Sequence, residues 1–319
     1  METMFRSASA ERGEGPEHGA ARVPATVSVL ARFAAVTLLS AAVASAQAPR
    51  EGAELRWDDG WSRVHPAAYT AASLGVATVL ILDQLVPYPE EGNWIGGILF
   101  DRAITAAISP DDEALREDVA RASDLMLLGS VLHPLIDAWV VAGFIRGSSD
   151  VAWQLTAITY ETLAIAYVLN TLVKRVVARE RPHGADCTRD DRVLRPGRCG
   201  GEGRLRSFYS GHATGTATMA GLVCTVHANL PLYGSQAADA LGCGLAVLNA
   251  AAVAVMRIVA RRHWSTDVLI GAAVGAAVGI LVPQLLHFGL APPETGSTSS
   301  PLLAPVPGTV SFPVASGSF

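Results

Sequence analysis

Six stretches of about twenty apolar residues, separated by short charged segments, set the first limit on how this chain can fold. They cover 67–87, 124–145, 151–173, 211–229, 236–256 and 265–286. Each is close to the ~20 residues a helix needs to cross a bilayer. In lipid the backbone must satisfy its own hydrogen bonds, so such blocks fold as helices. The expectation is an all-α, membrane-embedded bundle of about six helices. Composition agrees: 50% of the residues are apolar and 17% charged, against about 25% charged in an ordinary soluble domain. A net charge of −5, with no basic patch interleaved with aromatics, argues against a nucleic-acid partner. Asp83, His133, Asp137, Glu161 and Asp239 fall inside the blocks. A charge at mid-membrane costs roughly 2.5–3.5 kcal/mol on insertion scales, so these five are expected to face the bundle interior and bond between helices. The dense Gly and Ala of the last three blocks, as in Gly271-Ala-Ala-Val-Gly275, predict close helix approach.

The ends read differently. Arg32, the apolar run Phe33 to Val43 and the ending Ala44-Ser45-Ala46 have the layout of a secretory signal. Residues 1–46 are therefore expected to be a signal peptide, cut after Ala46, or an N-terminal anchor. Residues 47–288 form the expected helical domain, and the Pro, Ser, Gly and Thr of 289–319 predict a disordered tail. Residues 90–123, mixing Trp94 and Phe100 with Asp101, Arg102 and Asp111 to Glu113, fit an interfacial segment better than a span. Cys224 and Cys243, inside apolar blocks, read as core filler. Cys187 and Cys199 bracket an Arg-rich loop, where a disulfide and two free thiols fit equally. The cysteine spacing matches no zinc pattern.

Three short segments carry groups suited to phosphate chemistry, each where an apolar block meets a polar loop. The first is Lys174-Arg-Val-Val-Ala-Arg-Glu-Arg181-Pro182. Lys174 is the single lysine among 24 basic residues. On a continuous helix Lys174 and Arg181 would share a face about two turns apart, with Pro182 ending or redirecting it. Together they would clamp an anion. The second is Ser207-Phe-Tyr-Ser210-Gly211-His212. Ser210 suits a helix N-cap, whose free N–H groups bind anions, and His212 beside it can carry a proton. The third runs from Arg257 through His263 to Asp267. Four residues separate His263 from Asp267, so a carboxylate–imidazole hydrogen bond is expected if a helix begins there. Taken singly, the segments also fit ordinary membrane flanks or a simple helix cap.

Taken together they resemble the type 2 phosphatidic acid phosphatase superfamily. Its signature is Lys-x6-Arg-Pro, then Pro-Ser-Gly-His, then Ser-Arg-x5-His-x3-Asp. Here these read Lys174 to Pro182, Tyr209-Ser-Gly-His212, and Met256-Arg257 to Asp267. The resemblance spans about 170 to 290. Tyr209 stands where the family has proline and Met256 where it has serine. The resemblance implies that His263 attacks phosphorus and Asp267 orients it, while His212 protonates the leaving oxygen and then activates water. Lys174, Arg181, Arg257, Ser210 and the Gly211 amide would hold the phosphate, with no metal or other cofactor required. The expected substrate is a phosphate ester or diphosphate, of a lipid given the setting. The same superfamily includes soluble acid phosphatases and vanadium haloperoxidases, against which the long apolar blocks speak. A non-catalytic membrane protein is the rival from another class.

The resemblance and the signal-like start together suggest a bacterial envelope protein whose site faces the periplasm. Two observations pull the other way. The 174–206 segment holds nine arginines against five acids, and such segments favour the cytoplasm. Three full spans after a cleaved signal would also leave Lys174 in the cytoplasm.

Overall fold

The structure is a computed structural model and describes residues 55–289 except 90, 186 and 188–201. The expected signal or anchor, Cys199 and nearly all of the expected tail lie outside the described residues.

The fold is all-α. The helices run α1 Pro66–Leu85, α2 Asp101–Ile108, α3 Glu113–Ile136, α4 Ser149–Val177, the single turn α5 Pro182–Ala185, α6 Gly211–Asn229, α7 Gln236–Val259 and α8 Ser265–Pro283. α3 continues as a π-helix over Asp137–Ile145, and α8 as another over Gln284–Phe288. Among the described residues there is no sheet, and one isolated bridge pairs Trp94 with Arg179. Each of the six apolar blocks becomes one long helix. The interfacial stretch supplies α2 and the first turns of α3.

Five of the helical segments are long and apolar enough to span a membrane: α1, α3 with its π extension, α4, α7, and α8 with its extension. Their outward faces carry exposed aliphatic and aromatic side chains such as Leu74, Phe144, Trp153, Leu248 and Leu269, as lipid contact requires. Spans and faces of this kind are those of a membrane protein. α6 differs from them. It packs against α8, α7, α3 and α4 and buries most of its length. Protein rather than lipid surrounds it, so its threonines and histidines carry no penalty for facing hydrocarbon.

The closest approach joins α6 to α8. A Cβ built on Gly275 would lie 2.3 Å from the Thr214 carbonyl oxygen, and one on Gly279 would lie 2.1 Å from that of Thr218. Only glycine allows backbones to meet this way. The five polar residues flagged within the spans all bond across elements. Asp83 receives Arg175 and Arg206, Glu161 meets His287, and His133, Asp137 and Asp239 gather around His227 and Tyr233. Cys224 and Cys243 are joined in a disulfide between α6 and α7, which corrects their reading as core filler: facing positions on adjacent helices brought the sulfurs together. Cys187 is also disulfide-bonded.

Candidate active site

α4 delivers the first cation and then breaks. The helix ends at Val177, and Ala178 takes a left-handed conformation with φ 42°. Lys174 and Arg181 therefore do not share a helix, contrary to the sequence expectation. Residues 179–181 run extended, Glu180 N–H donating to Trp94 O and Arg181 N–H to Arg204 O. Pro182 opens α5 instead of ending α4, in keeping with proline's preference for a first helical turn. The break still leaves Arg181 within electrostatic reach of Lys174.

It also turns Arg179 inward. This arginine is fully buried and bonds Asp101 Oδ2 at 2.7 Å and Asp267 Oδ1 at 2.5 Å. It donates as well to Gly96 O and Thr266 Oγ1, and it lies over the Trp94 ring at 3.9 Å. Burial pushes the Asp101 carboxyl upward. Hydrogen bonds from the Ile98 and Thr266 amides, Ser265 and Arg179 outweigh it, and the group ends below its ordinary value.

The second segment folds as expected. Ser210 is the N-cap of α6, its Oγ accepting from Ala213 N–H, and its own N–H donates to Asp267 O. A Cβ at Gly211 would sit 2.8 Å from Lys174 Nζ, so the glycine leaves room for the end of the lysine at the helix N-terminus. His212 Nε2 lies 2.7 Å from Asp124 Oδ1. Arg257, near the end of α7, donates to the same oxygen at 3.0 Å and to Ser123 Oγ at 2.9 Å.

The third segment departs from expectation. Beyond α7 the chain folds back, the Arg262 and His263 amides both donating to Arg257 O. α8 begins at Ser265 with Trp264 as its N-cap, so His263 precedes the helix and the one-turn spacing to Asp267 does not apply. Asp267 instead accepts from the Trp264 amide, Ser207 Oγ and Arg179, and no hydrogen bond joins it to His263. The imidazole turns to Ser207, its Nδ1 lying 2.7 Å from the backbone oxygen. A carbonyl can only accept, so Nδ1 carries the proton and the Nε2 lone pair is left available. Asp267 thus acts on His263 through Ser207, holding its side chain while its carbonyl holds the ring.

His263 is buried. Burial first, then Arg181, Arg257 and Lys174, hold its imidazole well below the ordinary value, against the Ser207 hydrogen bond. Burial, with Arg257, Arg262 and Arg206, likewise pulls Arg181 below its ordinary value, Asp267 opposing. Among the described residues, no side-chain hydrogen bond or ion pair engages Lys174 or Arg181, and the Nε atoms of Arg181 and Arg257 are buried without partners. Cations gathered with so little counter-charge, facing a neutral imidazole and a helix N-terminus, are arranged for an incoming anion with several oxygens.

All eight residues expected from the sequence thus belong to the same end of the bundle. Four further residues shape it: Asp101, Asp124, Arg179 and Ser207. Arg179 and Ser207 lay inside the motif segments without an assigned part. Asp101 and Asp124 stand far from their partners in sequence, and no local spacing pairs them.

Neither a curated protein nor a solved structure matches the chain significantly. The family model described as the PAP2 superfamily matches residues 156–289, a segment that holds Lys174, Arg181, Ser210, His212, Arg257, His263 and Asp267. Over residues 156–289 the chain belongs to the PAP2 superfamily, which implies phosphatase activity on phosphate esters.

Proposed function

We propose that this protein hydrolyses a lipid phosphate ester or diphosphate through a phosphohistidine on His263. The observation that carries this reading is the pairing of His263 Nδ1 with Ser207 O, which leaves Nε2 unprotonated amid three cations. Nε2 attacks phosphorus, and an N–P bond forms as the P–O bond to the alcohol or phosphate leaving group breaks. His212 gives that oxygen a proton; burial and Arg257 pull its imidazole down to about 4, and Asp124 at 2.7 Å opposes them and favours the protonated form. His212 then takes a proton from water, whose oxygen attacks the phosphohistidine and releases phosphate. Lys174, Arg181, Arg257, Ser210 and the Gly211 amide hold the phosphoryl oxygens and the charge that grows on them. Cations and helix dipoles aimed at developing charge are the main catalytic resource in phosphoryl transfer.

The lipid assignment rests on position. Lys174 and Arg257 lie in the last turn of membrane helices, and His263 lies between two of them. A phosphate there sits at head-group level with its tail beside the apolar helix faces. Placement of this face in the periplasm of a bacterial envelope is supported by the disulfide at Cys187 in the adjoining loop, since disulfides persist in oxidising compartments. The Cys224–Cys243 bridge lies within the bundle and does not distinguish the two faces.

The test is phosphate release from phosphatidic acid, a polyprenyl diphosphate and p-nitrophenyl phosphate, with alkaline detergent quench of the enzyme incubated with ³²P-labelled substrate. Acid-labile, base-stable label is expected on wild type and absent from His263→Ala. Turnover by a folded His263→Ala protein would refute the nucleophile. Preference for the soluble ester over both lipids would refute the substrate class.

A further inference from the structure

A second constellation of chemically active side chains lies at the other end of the bundle. α6 starts at the phosphate site with His212 and reaches His227 fifteen residues later, roughly 22 Å away along a helix. There His227 Nε2 stands 3.2 Å from Asp137 Oδ2, and His133 Nε2 stands 3.4 Å from that same oxygen. The three atoms lie within 4.8 Å of one another. Tyr233 OH is 3.3 Å from His133 Nε2 and donates to Asp137 Oδ1 at 2.7 Å. His227 Nδ1 bonds Asp239 Oδ1 at 2.7 Å. Asp137, His227 and Asp239 are buried, while His133 is partly accessible.

We propose that His133, Asp137 and His227 bind one divalent transition-metal ion of the zinc class, with Tyr233 or a water as fourth ligand and Asp239 holding His227 from behind. Three observations converge on it. The first is the tautomer. A carboxylate accepts, so the 2.7 Å contact puts a proton on His227 Nδ1. His227 Nε2 then faces an Asp137 oxygen, with His133 Nε2 converging on the same point. A cation belongs there: a proton on His227 Nε2 in the metal-free protein, which the metal ion displaces. The second is size. Zinc–nitrogen and zinc–oxygen bonds of about 2.0–2.2 Å set neighbouring tetrahedral ligands about 3.3 Å apart, which the 3.2 and 3.4 Å separations bracket. The third is charge. Two carboxylates converge with no lysine or arginine among their hydrogen-bond or ion-pair partners, so a protonated His227 can neutralise only one of them, and buried charge left over is expensive. A divalent ion neutralises both.

The backbone is shaped for this. His133 and Asp137 are four apart on α3, and the helix widens to π geometry at Asp137, just after Pro134. Such widenings recur at functional sites. A Cβ on Gly242 would lie 2.8 Å from the Tyr233 ring, so α7 presents a glycine where the cluster needs room. The carboxylate behind the histidine ligand is the usual outer-shell arrangement of a protein metal site.

The test titrates the full chain, tag-free, chelator-stripped and in detergent, with Co²⁺. One equivalent is expected to give the visible absorption of a four-coordinate N/O site, removed by one equivalent of Zn²⁺. The signal should persist in His212→Ala, which excludes the phosphate site. It should weaken 10–100-fold in affinity in Asp239→Asn and vanish in His133→Leu, which changes the most accessible member. Absence of saturable Co²⁺ and Zn²⁺ binding to wild type would overturn the proposal and leave a proton as the shared cation. A wild-type signal that survives both His133→Leu and Asp137→Asn would overturn it as well.

Discussion

Replacing Gly275 by alanine puts one methyl group where α6 and α8 have no room for it. The new Cβ would stand 2.3 Å from the Thr214 carbonyl oxygen, whereas ordinary contact begins near 3.4 Å. The obstacle is backbone, so no side chain can swing aside, and the helices must separate by about 1 Å. Overpacking of this kind costs about 1–3 kcal/mol. At about 2–4 °C per kcal/mol for a domain of this size, Tm should fall by about 2–12 °C. The same movement displaces the N-terminus of α6 from Asp267, whose carbonyl accepts the Ser210 amide. Phosphate release should then fall by up to about 10²-fold, the usual penalty for an ångström of misplacement. The matched control is Gly129→Ala on α3, where a Cβ meets nothing within 4 Å. There alanine should stabilise by about 0.5–1 kcal/mol through its better helix propensity. Both variants would be melted in detergent beside wild type and assayed with one substrate. If Gly275→Ala melts as high as Gly129→Ala and turns over like wild type, the backbone contact between α6 and α8 is wrong.

Three further outcomes follow from the site. Arg179→Met strips the buried Asp101 and Asp267 carboxylates of their shared cation and should cost about 3–5 kcal/mol in thermal unfolding; a change under 1 kcal/mol would mean the network does not carry load. Asp124→Asn keeps the shape but removes the counter-charge shared by His212 and Arg257, so kcat should fall at least tenfold while Tm stays within a few degrees, checked by steady-state kinetics on a phosphate ester. His263 has a lowered folded pKa, so below its ordinary value of 6.5 the unfolded chain binds the extra proton and acid destabilises the fold. That contribution is complete above about pH 6.5 and is lost as pH falls, at up to ~1.4 kcal/mol per pH unit; comparing unfolding of wild type and His263→Asn between pH 5 and 7 isolates it, and equal slopes would show that His263 is not held neutral.

The apolar blocks made the helix number and positions legible, because hydrocarbon admits little besides a helix. The motif residues were legible because each brings its own chemistry. What the sequence hid was geometry made by chain breaks. Nothing near Ala178 announces a left-handed residue, so α4 read as continuous through Arg181 and its cations seemed to share a face. The i,i+4 spacing of His263 and Asp267 implied a bond, but α8 starts too late to make it. Arg179 looked like one more membrane-flanking cation until Asp101, 78 residues earlier, closed on it. The disulfide of Cys224 and Cys243 was hidden for a related reason: both cysteines suit an apolar core, and only the facing of two helices pairs them.

The composition of α6 has a consequence for how the protein is made. Alone among the six long helices it falls short of what a spanning segment needs. Its threonines soften this, since Thr214, Thr216, Thr218 and Thr225 donate their hydroxyls to carbonyls one turn back. That hides hydroxyl groups from lipid but leaves His212 and His227 to be covered. During synthesis such a segment gains little by partitioning into the bilayer alone; it gains when α7 and α8 emerge and enclose it. Concerted insertion of the last three helices is the expected outcome. The N-terminus of α6 meets Arg257 and the His263 segment only when the C-terminal third of the chain has left the ribosome, so a truncated nascent chain is expected to lack the proposed phosphate site.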